Sequence, residues 1–206
     1  MRLMDRKELE ESLNSEDSES IFIDPLLDRQ RQLGHVTIDL RLGYDFLVSI
    51  LTRKAYIELW QSSDDPPRDI SAYFQQTRRD LGEKFLLYPG QIAITTTLEY
   101  VSAPTGVYMD ILSRSSYTRL GIPINTMVQP GFRGCVPLEL FNNNNNAVEL
   151  IVGSRICQAR FFDTDSNLEY LEGEDVRKYY GDVRPTVSRA DADGELVRLG
   201  QIAERR

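Results

Sequence analysis

A chain of 206 residues, 41% hydrophobic and 27% charged, has the size and make-up of one globular domain. Its net charge of −8 argues against a general grip on nucleic-acid backbones, which needs a basic surface. Two cysteines and one histidine are too few for a disulfide framework, for a structural zinc site, or for the CxxC-bearing site of the zinc deaminases. Any hydrolysis must therefore proceed without a Cys/His-held metal, and Ser-His-Asp catalysis would have to rely on His35 alone. No apolar run reaches the length of about 18 residues that a membrane helix needs. The opening MRLMDRKELE is charged and has no apolar segment of the signal-peptide kind. The expectation is a cytoplasmic protein with neither nucleic acid nor membrane as partner.

In chain order, residues 1–14 read as a short helix, with Asp5 and Glu8 at capping-box spacing and Leu9 and Leu13 on one face. Polar residues 14–20 form a loop, and SIFI (20–23) is a short apolar run. HVTIDLRLG (35–43) alternates, with Val36, Ile38, Leu40 and Leu42 on one face and Thr37, Asp39 and Arg41 on the other. Residues 53–83 are mixed, charged and partly helical in pattern, and are expected to be a helical insertion or flap. FLLY (85–88), a Pro89-Gly90 turn and QIAITTTLEYV (91–101) give two strands. VYMDIL (107–112), CVPLELF (135–141), VELIV (148–152) and RICQARFF (155–162) add four more, with the asparagine run of FNNNNNAVEL as a hairpin loop. The tail, 163–206, is polar and has little core. The sum is one mainly β domain over 1–206: a sandwich, jelly roll or barrel.

Chemistry concentrates in two places. From Ile111 to Leu138 there is no Asp or Glu, and the only charges are Arg114, Arg119 and Arg133. Arginine forks match phosphate oxygens, and Ser115 and Ser116 add hydroxyls, so SRSSYTRLGI (113–122) suits an anion; the alternative is a polar strand-to-helix junction. In CVPLELF, alternation puts Val136, Leu138 and Leu140 on one face and Cys135, Pro137, Glu139 and Phe141 on the other. A carboxylate between apolar neighbours has its pKa raised if buried, which suits a general acid/base; the alternative is a surface glutamate beside an aromatic.

Together these stretches resemble the dCTP deaminase family, within the dUTPase-like superfamily. The similarity runs through RLMDRKELE, VTIDLRLG, FLLYPGQIAITTTLEYV, SRSSYTRLGI, PGFRGCVPLELFN, GSRICQARF and KYYGDVRPTVSR, in that order, and leaves out 53–83. The resemblance implies a distorted jelly roll or β-clip, assembled as a homotrimer with active sites between subunits. It implies zinc-free deamination of dCTP to dUTP and ammonia. Glu139 would be the general acid/base, and Ser115 and Arg119 would position water and stabilise developing charge. Arg114 and Ser116 would hold phosphates. Gln129, Gln158 and the tail residues Tyr170, Lys178, Tyr179 and Asp182 would complete the substrate site. Mg²⁺ would arrive on the phosphates, with no protein ligand of its own.

The sequence also departs from that family. LGIPINTMVQ is shorter than the family's hairpin. Gln129 stands where an aspartate precedes the proline-glycine, which counts against phosphate-ester hydrolysis. Asp182 replaces a phosphate-binding glutamine and would repel a triphosphate unless Mg²⁺ or Lys178 compensates. Two rival readings follow: a nucleotide sensor that does not turn its ligand over, and, less favoured because of Gln129, a dUTP diphosphatase.

Overall fold

The computed structural model describes residues 1–17, 19–53, 56–57, 59, 69–164, 178–192 and 194–204. Strand β1 (Arg2–Leu3) precedes helix α1 (Arg6–Asn14). The expected capping box forms: the Glu8 amide donates to Asp5 Oδ1 at 3.0 Å and the Asp5 amide donates to Glu8 Oε2 at 3.0 Å. The box starts the helix where Leu9 can be fully buried; a cap of this kind contributes about 1 kcal/mol.

Eleven further strands follow among the described residues: β2 (Phe22–Asp24), β3 (Ile38–Arg41), β4 (Asp45–Ser49), β5 (Phe74–Arg78), β6 (Lys84–Leu87), β7 (Ile92–Ser102), β8 (Val107–Ser113), β9 (Asn125–Val128), β10 (Arg133–Phe141), β11 (Val148–Ile151) and β12 (Arg155–Asp163). Three short helices join them: α2 (Arg29–Gln32), α3 (Ser115–Thr118) and α4 (Gly194–Glu204). One antiparallel sheet runs β1-β12-β8-β9, with β3 also on β12; the other runs β10-β7-β4-β5, with β2 also on β7. β6 and β11 form a two-stranded sheet of their own. Side chains such as Leu9, Leu40, Phe46, Met109, Leu138 and Phe161, each fully buried, fill the interior. The Phe46 and Phe85 rings stack at 4.1 Å. No helix among the described residues is long and apolar enough to cross a membrane.

Two expectations change. Within 53–83, the described residues from 69 onward form a 3₁₀ turn (Ile70–Tyr73) and strand β5, which pairs with β4. Polar side chains hid this strand because β5 is a sheet edge with little burial to pattern it. The asparagine run is not a hairpin, because β10 pairs with β7 while β11 pairs with β6. It is an arch between sheets, lying beside the Pro89-Gly90 arch. The Gly90 amide donates to the Asn142 carbonyl at 2.9 Å, and Asn142 Nδ2 donates to the Leu87 carbonyl at 2.8 Å. The polar tail is ordered where it is described. Its described part holds α4 and a segment, 178–182, laid along β10.

Pro137 sits inside β10, where a missing N–H would break a ladder. The register slips there, between Cys135 and Pro137, and the Val136 amide turns to the Thr97 hydroxyl at 2.9 Å. This bulge lets the strand continue to Glu139.

Candidate active site

The motif at 113–119 begins where β8 ends. The Arg114 amide donates to the Ile156 carbonyl of β12 at 3.0 Å, and the chain then turns once as α3. Two fastenings hold the turn. Tyr117 Oη lies 3.1 Å from Ser154 Oγ, and Asn144 Nδ2 donates to the Leu120 carbonyl at 3.2 Å. Gly121 closes the turn at φ 82°, where a Cβ would meet the Asn144 amide nitrogen at 3.0 Å. Ser115, Ser116 and Arg119 are exposed on this short helix.

Arg114 is not wholly open. Its Nε lies 3.3 Å from Asp39 Oδ2, and its Nη1 donates to the Arg155 carbonyl at 3.1 Å. Gln158 donates from Nε2 to Asp39 Oδ1 at 2.9 Å, and Arg155 Nη1 reaches Oδ2 of the same carboxylate at 3.1 Å. Two predicted substrate residues, Arg114 and Gln158, thus meet on one buried aspartate of β3.

Glu139 projects from β10 on the face that alternation assigned to it, between buried Leu138 and Leu140. In the single chain it is exposed. Its partner is Thr126 on β9, whose hydroxyl donates to Glu139 Oε2 at 3.3 Å. Thr126 also lines a cavity of about 250 Å³ with Gln129, Phe132, Pro137, Lys178 and Tyr179. The structure therefore gathers Gln129, Lys178 and Tyr179 around one opening, with Glu139 bonded to Thr126 of its lining. Within a chain, no hydrogen bond or ion pair among the described residues ties α3 to Glu139, and Tyr170 lies outside the described residues.

The tail segment is seated by backbone bonds: the Cys135 amide donates to the Asp182 carbonyl at 3.0 Å, and the Gly181 amide to the Arg133 carbonyl at 2.8 Å. Gly134 (φ 147°) makes room, since a Cβ there would lie 2.7 Å from the Asp182 oxygen. The Asp182 carboxylate is not left to repel a phosphate. Thr186 Oγ1 donates to it at 3.2 Å and Arg189 Nη2 lies 3.4 Å away. Arg189 also donates to the Lys178 carbonyl and sits over the Tyr179 ring. The compensation expected from Mg²⁺ or Lys178 thus has a third source within the tail.

The carboxyl that burial does perturb is Glu99 on β7, pushed up to about 7 chiefly by desolvation. The Gln32 amide and the Arg41 backbone N–H each donate to it at 2.8 Å, which opposes the rise. Burial also pushes the Cys135 thiol up to about 11 and holds Cys157 well above the ordinary thiol value, so neither is a ready nucleophile. A larger cavity, of about 670 Å³, opens at the Val107 end of β8, away from Arg114. Among the described residues its lining carries Glu19 and Asp163 and no cation, a poor match for phosphate.

Asp39, Thr126, Arg155 and Arg189 escaped sequence reasoning. For Asp39 a signal existed: an acid in an otherwise apolar, alternating strand, next to Arg41 in a motif the family shares. Thr126 becomes visible only through the register that sets β9 against β8, Ile111 opposite Thr126.

Comparison with known proteins adds to this geometry. The profile of a family described as dCTP deaminase-like matches residues 3–164. A Methanobrevibacter smithii protein named dCTP deaminase, dUMP-forming, is 36% identical over 85% of this chain and 90% of its own length. A Natronomonas pharaonis protein named dCTP deaminase is 33% identical over 87% of this chain and 92% of its own. The crystal structure of 2′-deoxycytidine 5′-triphosphate deaminase from Agrobacterium tumefaciens shares the fold, with a TM-score of 0.56 at 19% identity. The match covers 78% of this chain but only 47% of that longer one.

Proposed function

Because the chain belongs to the dCTP deaminase-like family, we propose that it deaminates dCTP with release of ammonia, and that dUMP is the nucleotide that finally leaves. The second half corrects the expectation of dUTP: of the relatives matched at 35% identity or better, those from two methanogens and a Dictyoglomus species are named dUMP-forming.

The observation that carries the reading is the Thr126–Glu139 pair at the rim of the cavity formed by Gln129, Lys178 and Tyr179. Glu139 takes a proton from water as the oxygen attacks C4 of the cytosine, then returns protons to the amine, which leaves as ammonia. Ser115 and Arg119 hold the water and the charge that develops on the base, tasks that fixed donors perform without a metal. Arg114, Ser116, Gln158, Lys178 and Tyr179 hold sugar and phosphates, joined from the tail by Tyr170 and by Asp182 through its arginine partner. Mg²⁺, carried on phosphate oxygens, supplies further neutralisation of the triphosphate. Because α3 and β10 belong to different sheets, a homotrimer completes the site, with α3 of one subunit facing β10 of another. That contact would also cover Glu139.

A second water then splits dUTP into dUMP and pyrophosphate. Gln129 cannot accept that water's proton, and it is the one observation that favours a halt at dUTP.

The test is turnover of dCTP with ammonia, pyrophosphate and nucleotide followed together. One ammonia and one pyrophosphate per dCTP support dUMP; ammonia without pyrophosphate replaces it with dUTP. Glu139→Gln is expected to slow ammonia release by about a thousandfold. Unchanged release from that variant would remove Glu139 from the mechanism, and nucleotide binding without any product would leave the sensor.

A further inference from the structure

We propose that Asp39, which no family motif assigned to the substrate, is the positioning residue of the phosphate site. It sets the forks of Arg114 and Gln158 toward the triphosphate; the inference rests on the proposed role of Arg114.

The geometry is specific. Asp39 lies on β3, its side chain only 8% exposed, beneath the start of α3. Its Oδ2 faces two guanidinium groups, Arg114 at 3.3 Å and Arg155 at 3.1 Å, while its Oδ1 accepts from Gln158 at 2.9 Å. One carboxylate against two arginines leaves the cluster with a surplus positive charge. A pair built only for stability in a partly buried place would be neutral, because an unmatched charge there is costly. The surplus sits beside Ser115 and Ser116, in the stretch from Ile111 to Leu138 that has no carboxylate of its own.

The bonds also decide which atoms are offered. A guanidinium has five N–H donors. Arg114 holds Nε 3.3 Å from Asp39 Oδ2 as an ion pair and gives one Nη1 hydrogen to the Arg155 carbonyl, and its side chain is still 33% exposed. Its other Nη1 and Nη2 donors make no hydrogen bond among the described residues. Arg155 is tied down from behind: its Nη1 also donates to the Arg31 carbonyl at 2.6 Å, which makes it an anchor for Asp39 and not a second ligand arm. Gln158 is oriented in the same way. The carboxylate demands a donor, so one Nε2 hydrogen is held by Asp39 and the second stays available to a phosphate oxygen.

Steady-state kinetics with dCTP, together with inhibition by inorganic tripolyphosphate, tests this. Asp39→Asn removes the charge but keeps the shape; KM for dCTP is expected to rise about tenfold and tripolyphosphate to inhibit about tenfold more weakly, with kcat within threefold. A loss in kcat at unchanged KM overturns the proposal. Arg114→Lys keeps the charge but cannot span both Asp39 and the Arg155 carbonyl. It should reproduce the KM effect, and the double variant should be no worse than Arg114→Lys alone. Multiplying effects overturn the idea that Asp39 acts through Arg114. If Asp39→Asn does not fold, Arg114→Lys alone decides, since a wild-type KM in that variant is incompatible with the fork. If the wild type releases no ammonia from dCTP, the functional reading has failed; calorimetry of tripolyphosphate with wild type and Asp39→Asn then reads Asp39's part separately, and equal affinities overturn it.

Discussion

Glu99 makes a pH prediction that does not depend on turnover. Its carboxyl ionises near 4.5 in an unfolded chain and holds its proton to about 7 in the fold, where it is fully buried. Between those values the native state binds more protons than the unfolded one. The contribution of Glu99 to stability is therefore fully present below about 4.5 and is lost as pH rises toward 7, by an amount of order 3 kcal/mol. Glu99→Gln, neutral at every pH, is expected to flatten that stretch of the curve; urea melts at pH 5 and pH 7.5 compare the two proteins, and an unaltered difference between the two pH values would place the titration elsewhere. Sequence analysis legibly gave the face of Glu139, because alternation along 135–141 needs only the pleat. It did not give the burial of Glu99, which arises from Gln32 and Arg41, 67 and 58 residues away in the chain. Nor did it give the Asp39 cluster, where partners 116 and 119 residues distant must converge.

Among the elements, β10 and the tail segment work as a unit. Gly134 is the contact between them, and its φ of 147° is one that a side chain adopts only with strain. Gly134→Ala should push residues 178–182 off the strand. KM for dCTP is expected to rise several-fold and the tail to be cut sooner in limited proteolysis, while the fold loses about 1–3 kcal/mol. A variant with wild-type KM would mean that the seated tail contributes nothing to binding. Strands with buried partners were legible from pattern: β7 through its β-branched run, β12 and β8 through alternation. β4, β5, β9 and the tail were not: β5 and β9 lie at edges where little side-chain burial imprints a period, and β4, interior though it is, is a run of five with no clean alternation. The asparagine run was read correctly as a turn and wrongly as a hairpin. The asparagines encode local bends, whereas the sheet that each flanking strand joins is decided by partners far away.

At the scale of the whole molecule, two five-stranded sheets and the β6–β11 pair bury one core, and the candidate residues lie at the surface, on α3 and on β10. On the proposed reading, a single chain with an exposed Glu139 and no bond from it to α3 would be half a site. Light scattering should give three times the monomer mass, and activity should fall with dilution as the assembly dissociates. A fully active monomer would overturn the shared site. The tail bears on the assembly in a different way. β10 is the end strand of its sheet, and its first residues have their N–H and C=O groups satisfied by Gly181 and Asp182. An uncapped strand end is a template on which another chain can add itself and grow. The tail segment thus also guards that strand end against aggregation, so damage to it is expected to threaten solubility.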